Sequence, residues 1–240
     1  MLETKNEFIK IINEYNEITF FGGAGVSTES NIPDFRGTGG LTDLNIEYSF
    51  EEILSHHFLF EKPDIFYDFY KKHMIYPNAR PNGAHIKLAE LENKGRLISV
   101  ITQNIDGLHQ VAGSKKVREL HGSIHRNYCS KCKKLFDLSY ILSTNGIPYC
   151  DECNGLIRPD VVLYGEELDY NVIENSITDI RKSKVLIVGG TSLNIYPAAG
   201  LLKYFNGDYL ILINKSKTPY DRYADLIIRE PIGKFLSETI

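Results

Sequence analysis

The chain has 240 residues, of which 42% are hydrophobic and 24% charged, and its formal net charge is −4. This composition is ordinary for a globular protein, and the charge provides no overall attraction to nucleic acid or to anionic membranes. No apolar run approaches the ~18 residues that a membrane-spanning helix needs, so we expect no membrane segment. Because of the negative net charge, we also expect no nucleic-acid partner. The length is enough for one large domain, or for one large and one small domain.

Short apolar runs alternate with helical segments along the chain. Residues 1–15 have the pattern of an amphipathic helix rather than a signal peptide, and residues 84–93 also have helical spacing. Apolar runs at residues 17–21, 97–102, 184–188 and 209–213 predict buried strands, each followed by a polar or glycine-rich loop. Uniformly apolar strands connected by helices are typical of a parallel sheet covered on both faces. The predicted fold class is therefore α/β, with ligands bound at the carboxyl ends of the strands.

A glycine-rich turn follows the first predicted strand. Residues 22–27 read GGAGVS and precede a predicted helix start. Glycines let backbone amides approach a pyrophosphate closely, and a helix N-terminus adds partial positive charge. The strict dinucleotide fingerprint is not met, because Thr28 occupies its third glycine position and no clear acidic residue closes a second strand about twenty residues on. This departure argues against an ordinary oxidoreductase.

All four cysteines of the chain belong to two Cys-x-x-Cys doublets. Two such doublets separated by residues 133–149 have the spacing of a closed four-cysteine zinc site, which has no open position and is therefore structural. Two disulfides, or four unrelated thiols, are the alternatives. Thiols committed to a metal fit a reducing compartment, so we expect a cytoplasmic protein. The predicted zinc ligands are Cys129, Cys132, Cys150 and Cys153.

Three further segments carry polar side chains that suit a binding site. They are NIPDFRG at residues 31–37, TQNIDGLH at residues 102–109 and ELHGS at residues 119–123. A purely structural role is the alternative for these residues. Asn104 and Asp106 can cap a helix, and His121 can be an ordinary core histidine. Residues 37–81 are rich in aromatic side chains, which we expect to pack into a core.

Together these segments resemble the sirtuins of the bacterial type, a family of NAD-dependent protein deacylases. The matching motifs are GAGVSTESNIPDFRG, TQNIDGLHQVAG, ELHGS, the paired Cys-x-x-Cys, RPDVVLYGE, GTSLNIYPAAG and Ile213-Asn214, in this order. The resemblance implies an α/β fold in which a Rossmann-like parallel sheet domain carries a small inserted zinc-ribbon domain. On this chain the Rossmann-like domain would comprise residues 1–36, 82–127 and 158–240. The small domain would combine a helical insertion at residues 37–81 with the zinc ribbon at residues 128–157.

The resemblance also implies an activity, protein-lysine deacetylation with NAD as a co-substrate. Nicotinamide leaves, the acyl oxygen attacks the ribose carbon, and His121 acts as general base on the ribose hydroxyls, a task that suits a neutral imidazole. A ribose hydroxyl then attacks the imidate carbon, and water completes the release of free lysine and O-acetyl-ADP-ribose. Asn104 would contact the ribose and order a water. The remaining residues implied to bind NAD are Gly23, Ala24, Gly25, Thr28, Phe35, Arg36, Gln103, Ile105, Asp106, Thr191, Ser192 and Asn214, in addition to His121 and Asn104.

The substrate is implied to be an acylated lysine in an extended peptide. Main-chain pairing with such a peptide as an added strand gives affinity with little demand on its sequence. A purely structural strand is the alternative for Val161 and Val162. The residues implied to flank the peptide are Val161, Val162, Leu163, Tyr164, Gly165, Leu193 and Ile195.

The helical insertion bears on acyl preference. Sirtuins that prefer succinyl or malonyl groups grip the distal carboxylate with a tyrosine and an arginine three residues apart. Here Tyr67 matches the tyrosine, but Tyr70 stands at the arginine position and Lys71 points elsewhere on a helix. Without a guanidinium fork for the carboxylate, we expect a preference for acetyl or another small neutral group.

Other functions are less consistent with these residues. A protein ADP-ribosyltransferase needs no base in the position of His121, and a non-catalytic NAD- or ADP-ribose-binding module needs no such set of polar groups. A zinc hydrolase needs an open metal position. A zinc-ribbon DNA binder needs a basic face, whereas Arg126, Lys131, Lys133 and Lys134 are a modest cluster. The sequence makes no prediction of oligomeric state.

Overall fold

The structure is a computed structural model that describes residues 2–34, 47–194 and 197–240. Its α-helices are α1 (Leu2–Glu14), α2 (Phe50–Ile53), α3 (His56–Glu61), α4 (Pro63–His73), α5 (Gly83–Asn93), α6 (Leu108–Val111), α7 (Leu138–Ser143), α8 (Tyr170–Lys182) and α9 (Ile232–Thr239). Its strands are β1 (Ile18–Gly22), β2 (Leu97–Thr102), β3 (Val117–Glu119), β4 (Gly122–Cys129), β5 (Leu135–Asp137), β6 (Ile157–Val161), β7 (Val185–Gly189), β8 (Tyr209–Ile213) and β9 (Leu226–Ile228). None of the helices in these ranges has the length and hydropathy that crossing a bilayer requires.

A six-stranded parallel sheet organises most of the chain. Its strand order is β3-β2-β1-β7-β8-β9, and every neighbouring pair is parallel. The four strands predicted from apolar runs are β1, β2, β7 and β8, displaced by at most one residue, and they form the centre of the sheet. The predicted α/β class and parallel sheet are therefore confirmed.

Helices cover both faces of this sheet. Phe20 and Ile187 point to a core shared with α1, α5 and α9, whereas Phe21 and Val188 point to a second core shared with α8 and the 3-10 helix Ala198–Tyr204. Alternate residues of one strand thus enter different cores, because successive side chains of a strand point to opposite faces. Both sets must be apolar, which explains why these strands read as uniform apolar runs.

A second, antiparallel sheet has the order β5-β4-β6. It shares one core with α2, α3, α4 and α7, in which the aromatic residues of the helical insertion are buried together with Cys129 and Cys150. The sheet extends beyond the ribbon predicted at residues 128–157 at both ends, because β4 begins at Gly122 and β6 ends at Val161. The aromatic helices supply most of this core, so the ribbon does not depend on a metal alone for its interior.

The glycine turn leads into two short 3-10 helices, Ala24–Val26 and Thr28–Ser30, instead of the α-helix expected there. Backbone groups of the turn form hydrogen bonds with residues outside it. Gly25 N–H donates to the Gly190 carbonyl at 2.8 Å, and Asn82 Nδ2 donates to the Val26 carbonyl at 2.8 Å. A regular helix would have to break these contacts. The turn is consequently held close to the loop that follows β7.

Candidate active site

Most of the residues predicted to bind NAD follow the carboxyl ends of four neighbouring strands. In the sheet register Gly22 of β1 pairs with Thr102 of β2 and with Gly189 of β7, and Gly189 pairs with Ile213 of β8. The loops that follow these residues therefore leave the sheet side by side. They contain the glycine turn, the segment at residues 103–107, the segment at residues 190–194, and Asn214. This is the edge of the sheet at which parallel α/β proteins bind ligands.

The glycine turn packs directly on the loop after β7. A Cβ at Gly25 would lie 2.8 Å from the Gly190 Cα, closer than the two atoms can approach. Only a residue without a side chain permits this contact, and it leaves backbone at the surface of the turn. Such a surface fits the phosphates of a dinucleotide, because a ligand can approach the amides closely.

Ser27 joins the turn to the segment at residues 103–107. Its hydroxyl donates to Asp106 Oδ2 at 2.6 Å and accepts from Asn104 Nδ2 at 3.0 Å. Asp106 Oδ1 accepts from the Leu108 N–H at 2.9 Å, so the carboxylate also bonds to the first residue of α6, whose N-cap residue is Gly107. Sequence reasoning did not select Ser27, although it lies inside the GAGVS motif beside Thr28.

A second set of hydrogen bonds joins the loops that follow β2, β7 and β8. Gln103 Nε2 donates to Thr191 Oγ1 at 3.1 Å, and Thr191 N–H donates to Asn214 Oδ1 at 3.0 Å. Asn214 in turn donates to the Thr191 carbonyl. Ser192 is exposed next to them. These bonds bring the predicted ribose and adenosine residues into one network.

His121 lies between β3 and β4, and its Nδ1 is 2.9 Å from the Gln103 carbonyl. A carbonyl oxygen only accepts, so the proton of the neutral ring is on Nδ1 and the lone pair is on Nε2. Burial lowers the pKa of His121 below its ordinary value, and the bond to Gln103 opposes that effect. The ring is partly buried rather than enclosed in a core. His121 is therefore a neutral imidazole near pH 7 with its basic nitrogen defined.

The four cysteines form one cluster. Their sulfurs all lie within 4.8 Å of one another, with Cys129 and Cys153 sulfurs 3.4 Å apart and Cys132 and Cys150 sulfurs 3.6 Å apart. These separations exceed the ~2.05 Å of a disulfide and are near the ~3.8 Å expected between thiolates on one tetrahedral zinc. The donor set therefore fits a single structural Zn²⁺, and the disulfide alternative is not what the structure contains.

The loop predicted to flank a peptide is itself held by the protein. Val162 N–H donates to the His121 carbonyl at 3.0 Å, and Tyr164 N–H donates to the Leu54 carbonyl at 3.0 Å. Val161 is buried at the end of β6, and Leu193 is buried with a positive φ of 56°. An added peptide strand would have to pair with other main-chain groups of this loop.

An ion pair that sequence reasoning missed braces the same loop. Arg158 contacts Glu166 through both guanidinium amines, at 2.5 and 2.9 Å, and Leu163 N–H donates to Glu166 Oε2 at 2.9 Å. Partial burial would raise the pKa of Glu166, but these donors and His56 lower it to about 2. The sequence contained a signal for this ion pair, because the RPDVVLYGE motif begins with the arginine and ends with the glutamate.

The tyrosines that bear on acyl choice are enclosed in the second core. Tyr67 donates its hydroxyl to the Ile157 carbonyl, and Tyr70 is fully buried and stacked on Phe66. Lys71 donates to the carbonyls of residues 144 and 146, both at 2.7 Å, so it points away as expected. Three predicted site residues, Phe35, Arg36 and Ile195, lie outside the described residues.

Comparison with known proteins identifies the family. The sequence model of the Sir2 family matches residues 23–197. An NAD-dependent protein deacetylase of Clostridium acetobutylicum is 56% identical over 243 residues, which cover 100% of this chain and 99% of the relative. One of Staphylococcus aureus strain MW2 is 46% identical over 226 residues, covering 92% of this chain and 91% of the relative.

Solved structures agree with this match. A Sir2 structure with a p53 peptide and NAD+ has a TM-score of 0.85 and 39% identity, covering 97% of this chain and 95% of that chain. Another, with a deacetylated p53 peptide and 3′-O-acetyl-ADP-ribose, has a TM-score of 0.88 and 40% identity over 96% of this chain and 95% of that chain. Since the family model covers most of the chain and these relatives nearly all of it, the protein belongs to the Sir2 family.

Proposed function

We propose that this protein is an NAD-dependent protein-lysine deacetylase that releases nicotinamide, free lysine and O-acetyl-ADP-ribose. The observation that carries the proposal is the position of His121, whose Nδ1 is bonded to the segment at residues 103–107 at the ligand-binding edge of the sheet. Relatives with the name NAD-dependent protein deacetylase, which match nearly the whole chain, support it. The substrates would be acetylated lysines of proteins or peptides.

The NAD co-substrate would lie across the carboxyl edge of the large sheet. The glycine turn, with Gly23, Ala24, Gly25 and Thr28, would hold its phosphates. Ile105 and Asp106 would form the nicotinamide pocket, Gln103 and Asn104 would contact the adjoining ribose, and Thr191, Ser192 and Asn214 the adenosine half. Phe35 and Arg36 would close the site. When bound, NAD supplies an electrophilic ribose carbon. The network through Ser27 supports this assignment, because it holds Asn104 and Asp106 in one fixed arrangement.

His121 would serve as the general base for the ribose hydroxyls. That task requires an unprotonated nitrogen, and the bond from Nδ1 to the Gln103 carbonyl leaves the lone pair on Nε2. A lowered pKa keeps the ring neutral at physiological pH. Asn104 would assist by contacting the ribose and ordering a water.

The acetylated peptide would pass between the loop at residues 161–165 and the segment of Leu193 and Ile195. The N–H groups of Val162 and Tyr164 are already bonded to other parts of the protein and hold this loop in place. A loop that is fixed before the peptide arrives reduces the ordering cost of peptide binding. Acetyl would be preferred over succinyl or malonyl, because Tyr67 is engaged with Ile157 and no arginine stands at position 70.

The zinc would be structural, since all four ligands are thiolates and no open position remains for a substrate. We also place the protein in the cytoplasm. The location of all four thiols in one cluster supports this, because a reducing compartment keeps them available for the metal.

The test is to incubate the purified protein with an acetyl-lysine peptide, with and without NAD, and to detect O-acetyl-ADP-ribose by mass spectrometry. We expect NAD-dependent product that falls by about 10²–10⁴-fold in His121→Ala, the usual contribution of a general base. His57→Ala is the matched control, because this histidine is exposed on α3 and pairs with Glu61. Product without NAD, or transfer of ADP-ribose to the peptide instead, would contradict the proposal.

A further inference from the structure

His125, in strand β4, contacts the backbone of the segment that contains Asp106. Its Nε2 is 3.0 Å from the Asp106 carbonyl oxygen. Because that oxygen only accepts, Nε2 must carry the proton and donate it. The imidazole is exposed, so it reaches the segment from the solvent side. His125 lies outside the matching motifs and has no role in the proposed mechanism.

The same ring also covers Gly107. This residue has a φ of +73°, a left-handed conformation that favours glycine. A Cβ built on it would lie 2.7 Å from His125 Cδ2 and 2.8 Å from Nε2. The imidazole therefore occupies the space that a side chain at position 107 would take. Its hydrogen bond and its packing fix two consecutive residues of the segment.

The segment is held from two sides. On the side of the glycine turn, Ser27 holds the Asp106 carboxylate at 2.6 Å. On the side of the second sheet, Ile124 N–H donates to the Ile105 carbonyl at 3.1 Å, and His125 adds its bond to Asp106. Strand β4, which supplies both of these donors, ends at the zinc ligand Cys129. Through Ile124 and His125, strand β4 of the second sheet therefore contacts all three residues 105–107.

We propose that His125 is a positioning residue for the nicotinamide-binding segment, which it holds through the Asp106 carbonyl and the face of Gly107. The inference rests on the proposed function, in which Ile105 and Asp106 form the nicotinamide pocket. His125 acts through the backbone and touches no reacting atom. Its loss should therefore weaken binding of nicotinamide and NAD, while the affinity for the acetylated peptide stays the same.

The test compares His125→Leu, which keeps bulk but removes the donor, with His125→Gln, whose Nε2 can donate from a similar reach. Loss of one hydrogen bond, worth ~1 kcal/mol, should raise KM for NAD and the inhibition constant of nicotinamide by about five-fold in His125→Leu. His125→Gln should restore both constants to within about two-fold, and His57→Leu should change neither. An unchanged His125→Leu enzyme, or an equal rise in KM for the acetyl peptide, would overturn the inference.

A double-mutant cycle tests the contact with Gly107. Gly107→Ala should impair NAD binding in the native background through both its strained φ and its collision with the ring. In the His125→Ala background only the strain remains, so the second substitution should cost less there. Additive effects would show that the ring and Gly107 are not coupled, which would overturn this part of the inference.

The two proposals fail differently. If the unaltered protein forms no O-acetyl-ADP-ribose from an acetyl peptide and NAD, the proposed function fails, whatever the variants do. If the unaltered protein is active and His125→Leu matches it in both nicotinamide constants, the positioning role alone fails. Thermal unfolding of each variant accompanies the kinetics, because a general loss of stability would move all the constants together.

Discussion

The two sheets of this protein are stabilised in different ways. In the six-stranded sheet the two middle strands, β1 and β7, are buried along their whole length, with separate apolar cores on the two faces. In the second sheet only β4 exceeds five residues, its burial is irregular, and its last residue, Cys129, belongs to the cluster of four cysteines. A regular apolar pattern specifies the first region, whereas the second depends on aromatic helices from elsewhere in the chain and on the cysteine cluster that fits a zinc ion.

Removal of the metal should produce the largest difference in stability between the two sheets. Zinc contributes on the order of 10 kcal/mol to the folding of small zinc domains, and the aromatic core of the second region should absorb part of that loss. Treatment with a chelator, or Cys132→Ala, should accelerate amide hydrogen exchange in β4 and β5 and leave β1 and β7 protected. Ser130→Ala, between two of the ligands, is the control. Equal acceleration in both sheets would mean that the two regions unfold as one unit.

Truncation of one buried aromatic side chain in each region should show a second difference between the two regions. Phe20 and Phe66 are both fully buried, one in each region. Either change to Ala should cost about 3–5 kcal/mol through lost burial and a residual cavity. Phe66→Ala should also weaken zinc retention, whereas Phe20→Ala should not. Denaturant unfolding with a zinc assay measures both effects, and Phe60→Ala, at an exposed position of α3, should change little. Equal zinc loss in the two variants would contradict the separation.

Acid should weaken the second region through Glu166. Arg158 and the Leu163 N–H favour its charged form, so its pKa falls from 4.5 to about 2 in the folded protein. A lowered carboxyl pKa adds stability above pH 4.5, and that stability is lost as the pH falls from 4.5 toward 2. Glu166→Gln should therefore destabilise the protein by about 1–3 kcal/mol at neutral pH, with a smaller difference at pH 3. Urea unfolding at several pH values measures this, and a difference that does not depend on pH would count against it.

Sequence patterns predicted the large sheet and the grouping of the four cysteines well. The four apolar runs correspond to β1, β2, β7 and β8, because burial on both faces leaves a continuous apolar run that is readable locally. The four cysteines were identifiable for a similar reason, since ligand spacing within each doublet is a local property of the chain. The family followed from ordered motifs, most of which lie at the carboxyl ends of these strands.

Local pattern did not predict the course of the chain after the glycine turn or the extent of the second sheet. The backbone groups of Gly25 and Val26 bond to Gly190 and to the Asn82 side chain, both distant in sequence, and these contacts replace the expected α-helix. Strand β4 reaches back to Gly122 because its partner is β6, which is likewise remote along the chain. Pairings of this kind depend on which segments the fold brings together.

The sequence by itself was enough to predict the parallel sheet and the grouping of the four cysteines, because both patterns are readable over a few neighbouring residues. Only the tertiary structure decided what the polar residues do. His109 and His121 both occur in matching motifs, yet His109 is buried beside His85, where burial lowers its pKa strongly. His121 is bonded to Gln103 and keeps a basic nitrogen. The protonation of a side chain is set by solvent access and by its hydrogen-bond partners, and both of these come from residues far apart in the chain.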